Sequence, residues 1–128
     1  MTAGALPNEA YAAALAALPS MTPRRLGLVL RRWSAADAWD SVRTVGSPWL
    51  ATLCGAGGVP DAWRRADPAL PQQLWERCQA LGVGVVIVGE HPLFTDLAAD
   101  RQAPAVLFTR GNLGALAQRR VAVVGTRN

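Results

Sequence analysis

The residues best placed to do chemistry sit in one stretch, Arg119 to Asn128, which reads RRVAVVGTRN. Val121, Ala122, Val123 and Val124 have the composition of a short buried strand, and they deliver the chain to Gly125, Thr126, Arg127 and Asn128. In an open α/β sheet, ligands sit beyond the carboxyl ends of the strands. A glycine at that point permits a tight turn and close backbone approach. Thr126 offers a hydroxyl and a helix cap, Arg127 a planar fork suited to phosphate, and Asn128 further donors. A helix starting beyond them would favour an anion at its N-terminus. By itself the motif admits two readings, a phosphate loop or the ordinary strand-to-helix turn of many α/β proteins.

Other reactive side chains are sparse. Cys54 and Cys78 lie far apart with no second pair, which gives neither zinc spacing nor a disulfide framework, so both read as buried thiols. His91 has no ligand cluster or nucleophile at a familiar spacing and reads as a loop or turn histidine. All 13 basic residues are arginine, set against nine carboxylates, for a formal net charge of +4. Arginine suits bidentate phosphate contacts and stacking, although a lysine-free, alanine-rich chain is also what a GC-rich genome encodes. The charge is compatible with a nucleic-acid partner without requiring one.

The elements that must hold these residues fall into two halves. Residues 1–81 read as helices. Asn8 is placed to cap a first helix with Tyr11, Leu15 and Leu18 on one stripe, which Pro19 and Ser20 stop. Thr22-Pro23 then signals a second helix, with Leu26, Val29, Leu30 and Trp33 inward and Arg24, Arg25, Arg31 and Arg32 together on the opposite face. That arginine face is either an auxiliary basic surface or simply a solvated one. A third helix is expected from Ser34 to Val45, burying Ala35, Ala38, Trp39 and Val42. Ser47-Pro48 opens a shorter segment to Cys54, and Gly55 to Pro60 form a loop. The last helix of this half runs from about Ala69 to Leu81, with Leu70, Leu74, Cys78 and Leu81 inward and Gly82 just past its end. The five tryptophans all lie in this half, as core fillers or as base-stacking platforms.

Beyond Gly82 the periodicity changes. Val83–Val88, Ala105–Thr109 and Arg120–Val124 are short β-rich runs, and their alternation with other material predicts an α/β sheet with parallel strands. Residues 82–128 therefore read as the opening of a second, unfinished domain.

The segment Ala103 to Asn128 resembles the start of the Rossmann-like domain of the DprA/Smf family of DNA-processing proteins. The family pattern is a Pro-x-x-Leu-aromatic strand, an Arg-Gly turn, a spacer, and a strand ending Val-Gly-(Ser/Thr)-Arg. Here it is carried by Pro104, Leu107, Phe108, Arg110, Gly111, Val123, Val124, Gly125, Thr126 and Arg127. Upstream, His91-Pro92 stands where the family has Tyr-Pro before a short helix. Leu18-Pro19-Ser20-Met21-Thr22-Pro23 stands where it has Leu-Pro-Gly-Ile-Gly-Pro, with Ser20 and Thr22 replacing both glycines. The resemblance implies an N-terminal all-helical SAM-like or helix-hairpin-helix-like domain, followed by the first strands of a truncated Rossmann-like domain. It implies no catalysis and no metal or nucleotide cofactor. Such proteins bind single-stranded DNA, protect incoming DNA and load the RecA recombinase onto it during natural transformation. The full-length proteins are expected to form homodimers, through parts beyond these 128 residues. The DNA pocket carries over here only as Gly125, Thr126, Arg127 and Asn128.

A nucleotide-binding Rossmann-like enzyme of the phosphoribohydrolase type is the alternative. It would need an acidic catalytic residue and a second glycine-rich loop, neither visible before Asn128. No apolar run approaches the roughly 20 residues that span a bilayer, and Met1 to Pro7 lacks the basic start of a secretory signal. A cytoplasmic protein without membrane contact is the expectation.

Overall fold

A computed structural model of the chain describes residues 5–44 and 46–125. The protein is mixed and mostly helical, with one small antiparallel sheet of two strands among the described residues. Helix α1 (Asn8–Ala16) is its hub, packed against the third helix, the sixth helix and the first strand. Its length explains little of its stability, since an isolated helix this short is marginal in water. Burial does the work: Ala10, Ala12, Ala13, Ala14 and Leu15 are all fully enclosed. A helix apolar on every side belongs in a core, not at a surface. Asn8 does not cap it. The residue is already helical, and its Oδ1 instead accepts a hydrogen bond from the Ala36 amide at 3.3 Å, tying α1 to the start of the third helix.

Local sequence signals set the next three helices. Thr22 Oγ1 accepts from the Arg25 amide at 3.1 Å and opens α2 (Pro23–Arg32). Ser34 caps α3 (Ala35–Arg43) in the same way, and Ala35, Ala38, Trp39 and Val42 are its buried residues, as their spacing predicts. Val45, where that helix was expected to end, lies outside the described residues. Ser47 caps α4 (Pro48–Cys54), which carries proline in its first turn. A 3₁₀ turn at Gly55–Gly57 and a four-residue helix, α5 (Asp61–Arg64), occupy the glycine-rich region, and α5 escapes sequence reading. Its importance is Trp63, which is fully buried.

Helix α6 (Leu70–Leu81) ends as its glycine predicts. Gly82 takes the left-handed conformation at φ 67°, ψ 28°. The Val83 amide then reaches the Cys78 carbonyl at 2.8 Å and the Gly82 amide reaches Gln79 at 3.3 Å. This pair of bonds is the Schellman termination that favours glycine at that position. Leu81 differs from expectation. It is 54% exposed, whereas Leu70, Leu74 and Cys78 pack against the core.

Strands β1 (Gly84–Ile87) and β2 (Val106–Thr109) pair antiparallel, in the register Gly84↔Thr109 to Ile87↔Val106. The parallel pairing expected from sequence is corrected by this register. A parallel return needs a crossover that carries the chain back the length of the sheet, usually a full helix. Residues 88–105 hold only two 3₁₀ turns and the four-residue helix α7 (Thr95–Ala98), so the chain doubles back beside β1. Val85, Ile87 and Val106 join the same hydrophobic cluster as the helices. The change of periodicity at Gly82 thus coincides with a change of element, while the buried face of the sheet closes over α1.

No strand forms at Arg120–Val124 among the described residues. Val121, Val123 and Val124 are 90%, 95% and 91% exposed. Strand formation needs a partner for the backbone and a surface for the side chains, and neither β1 nor β2 supplies one to this segment.

Candidate functional site

The phosphate-loop residues expected from sequence fall at the limit of the described chain. Gly125 is exposed, and a Cβ built on it would meet no atom within 4 Å. Thr126, Arg127 and Asn128 lie outside the described residues. Upstream, the expected turns are present. β2 is followed at once by Arg110-Gly111, where Gly111 has φ 95°, a conformation that only glycine adopts readily. His91 is a turn histidine: its Nδ1 accepts from the Leu93 amide at 3.2 Å and its ring leans on Phe94 at 5.2 Å. The short helix α7 follows directly.

The turn from α1 to α2 is fastened from three sides. Trp63 Nε1 donates to the Pro19 carbonyl at 2.7 Å, and Arg25 Nη1 donates to the Ser20 carbonyl at 2.9 Å. The Met21 amide donates to Leu18 at 3.1 Å. Ser20 itself sits at φ 63°, in the left-handed region, so the turn keeps a glycine-type conformation without glycine. A side chain there costs roughly 1–2 kcal/mol, against about 0.5–1 kcal/mol of extra unfolded-state entropy if glycine is introduced. Ser20→Gly is therefore expected to raise stability by up to about 1 kcal/mol, read as a higher Tm; a lower Tm would show that the Ser20 hydroxyl contributes more than its backbone costs. Thr22 is extended at φ −82° and needs no glycine, and its hydroxyl is the cap of α2.

The arginine face predicted for α2 divides into three separate roles. Arg25 turns inward along the helix end, and besides Ser20 it reaches the Cys54 carbonyl at 3.3 Å with Nη2. It also lies near the Cys54 thiol. Burial pushes that thiol above its usual value, and the Arg25 charge partly opposes the rise. Arg32 lies over two tryptophans, its guanidinium carbon 5.3 Å from the Trp33 ring and 5.0 Å from the Trp49 ring. The two indoles meet edge to face at 5.2 Å and 88°. Of the five tryptophans, Trp39 and Trp63 fill the core, with Arg43 over Trp39 at 5.3 Å. Trp33 and Trp49 are half-buried and already carry Arg32.

Arg24 and Arg31, one helical turn pair apart on α2, line a cavity of about 520 Å³ between that helix and the segment joining β1 to β2. Arg101 stands on the opposite wall, and Glu90 and Asp100 contribute carboxylates. Among the described residues the ion pairs are those of Asp61 with Arg64 and Arg65, so none of the three cavity arginines is held by a carboxylate. Periodicity shows that Arg24 and Arg31 share a face, but only the doubling back of residues 88–105 places Arg101 opposite them. No three histidine, cysteine or carboxylate side chains gather as a metal site among the described residues, and no helix there is long and apolar enough to cross a membrane.

No protein-family model, no curated protein and no solved structure matches the chain.

Proposed function

We propose that the protein binds single-stranded DNA in the manner of the DprA/Smf proteins it resembles, protecting incoming DNA and presenting it to the RecA recombinase. In this reading the helical part is the SAM-like domain, the sheet begins a Rossmann-like domain, and the protein is a binding protein, not a catalyst. The observation that carries it is the ordered run from Pro104 to Arg127: a strand, an Arg-Gly turn, and a Val-Val-Gly-Thr-Arg segment. Two features agree with that order, β2 at Val106–Thr109 and the left-handed Gly111 directly behind it. The Ser20 turn between α1 and α2 and the short α7 behind His91-Pro92 stand at the other two points of resemblance.

Arg127 would hold phosphate through charge-assisted hydrogen bonds, with Gly125 allowing the backbone to approach and Thr126 and Asn128 adding donors. Binding carried by phosphate contacts releases counterions and weakens steeply with salt. Fluorescence anisotropy with labelled poly-dT, at two salt concentrations and with duplex DNA as control, tests this. The expected result is salt-sensitive binding that prefers the single strand and weakens by about 1–3 kcal/mol in Arg127→Ala, the usual worth of a hydrogen bond to a charged group. Binding indifferent to Arg127, or none at all, removes the proposed site and favours the nucleotide-enzyme reading.

A further inference from the structure

We propose that the cavity between α2 and the β1–β2 connection is a site for a 5′-phosphorylated nucleoside. Its volume, about 520 Å³, falls within the range of roughly 300–1,000 Å³ common for small-molecule sites. One part of its lining is apolar, formed by Leu30, Ile87, Val88, Pro104 and Ala105. The other part is ionic. Arg24, Arg31 and Arg101 all line it, and no carboxylate among the described residues pairs with them. Guanidinium forks match phosphate oxygens bidentately, and several converging on one cavity favour a multiply charged anion.

Glu90 and Asp100 restrict the choice further. Two carboxylates in the lining disfavour a ligand that is anionic throughout, and they accept hydrogen bonds from N–H or O–H groups. A ligand with a phosphate at one end, a flat apolar body, and amine or hydroxyl donors elsewhere satisfies every wall. A nucleoside monophosphate has those parts, free or as the 5′-terminal residue of a strand.

Gly27 offers a way to test the site by filling it. It lies in the interior of α2 and lines this cavity, and a Cβ built on it would meet nothing within 4 Å. Packing therefore does not require glycine here. A helix-interior glycine is unfavourable relative to alanine, so a larger side chain here would fill the cavity without a cost in helix stability.

The full chain is titrated by calorimetry with AMP, adenosine and inorganic phosphate, and then with a 5′-phosphorylated oligonucleotide and its 5′-hydroxyl counterpart. AMP is expected to bind at least 10-fold more tightly than either adenosine or phosphate alone. The Arg24→Ala/Arg31→Ala double variant, altered at two exposed positions, is expected to lose at least 10-fold in AMP affinity with Tm unchanged. Gly27→Leu should abolish binding while raising Tm, a combination that misfolding cannot produce. Preference for the phosphorylated oligonucleotide over AMP assigns the site to a strand end; the reverse assigns it to the free nucleotide. No AMP binding, equal affinity for AMP and either fragment, or binding untouched by Gly27→Leu overturns the proposal. AMP and poly-dT are titrated in parallel into the parent, the Arg24→Ala/Arg31→Ala variant and Arg127→Ala, so failure of this site and failure of the proposed DNA site are read separately.

Discussion

Trp63→Ala is expected to remove about 3–5 kcal/mol of folding stability, the cost of deleting a large aromatic from a closed core. Trp63 is fully buried on the four-residue helix α5, and its indole N–H donates to the Pro19 carbonyl at 2.7 Å. The substitution thus opens a cavity and frees the α1–α2 turn at the same time. Against a typical total of about 5–15 kcal/mol, a loss of this size removes about a fifth of the stability at the least and all of it at the most. Trp63→Phe separates the two contributions. It keeps most of the ring and loses the hydrogen bond, so a cost near 1 kcal/mol is expected. Urea denaturation of both variants checks this. If Trp63→Ala shifts ΔG by less than about 1 kcal/mol, α5 does not seal the core.

Ala13→Asp is the second large effect, about 3–5 kcal/mol at pH 7, because α1 would then bury a charge with no partner. Ala13 is fully enclosed, as are Ala12 and Ala14 beside it, so no face of the helix is left for the carboxylate. Burial raises the folded-state pKa of such a group above its unfolded value near 3.9. The protonated form is the one the core tolerates, so the penalty is smallest below about pH 4 and grows as pH rises toward the folded-state pKa. Denaturant midpoints of the variant and the parent at pH 4 and pH 7 measure the difference. A variant within about 0.5 kcal/mol of the parent at pH 7 would mean that Ala13 faces water.

Sequence periodicity alone would place Ala13 differently. The stripe of Tyr11, Leu15 and Leu18 implies a helix with one apolar side, and alanines elsewhere on it look neutral. Only the packing of α3, α6 and β1 around α1 shows that the remaining faces are buried too. Leu81 errs in the opposite direction: its spacing from Leu70, Leu74 and Cys78 suggests burial, but it is 54% exposed at the end of α6. The candidate sites differ in the same way. Gly125 to Asn128 are legible as a motif because a strand-glycine-hydroxyl-arginine order is a local pattern. The Arg24, Arg31 and Arg101 cavity is not, since its walls come from two segments far apart in sequence.

The helix starts at Thr22, Ser34 and Ser47, the helix end at Gly82, and the turns at His91 and Gly111 are written in the local sequence. Each depends on a hydrogen bond or a backbone conformation spanning only a few residues, so nearest neighbours suffice to specify it. The antiparallel pairing of β1 and β2, the separate fates of Arg24, Arg25 and Arg32, the left-handed turn at Ser20 and the bond from α3 to Asn8 all come from packing. Those outcomes depend on which distant surface arrives beside each side chain, and burial energy summed over the whole core selects among arrangements that local propensity leaves equal.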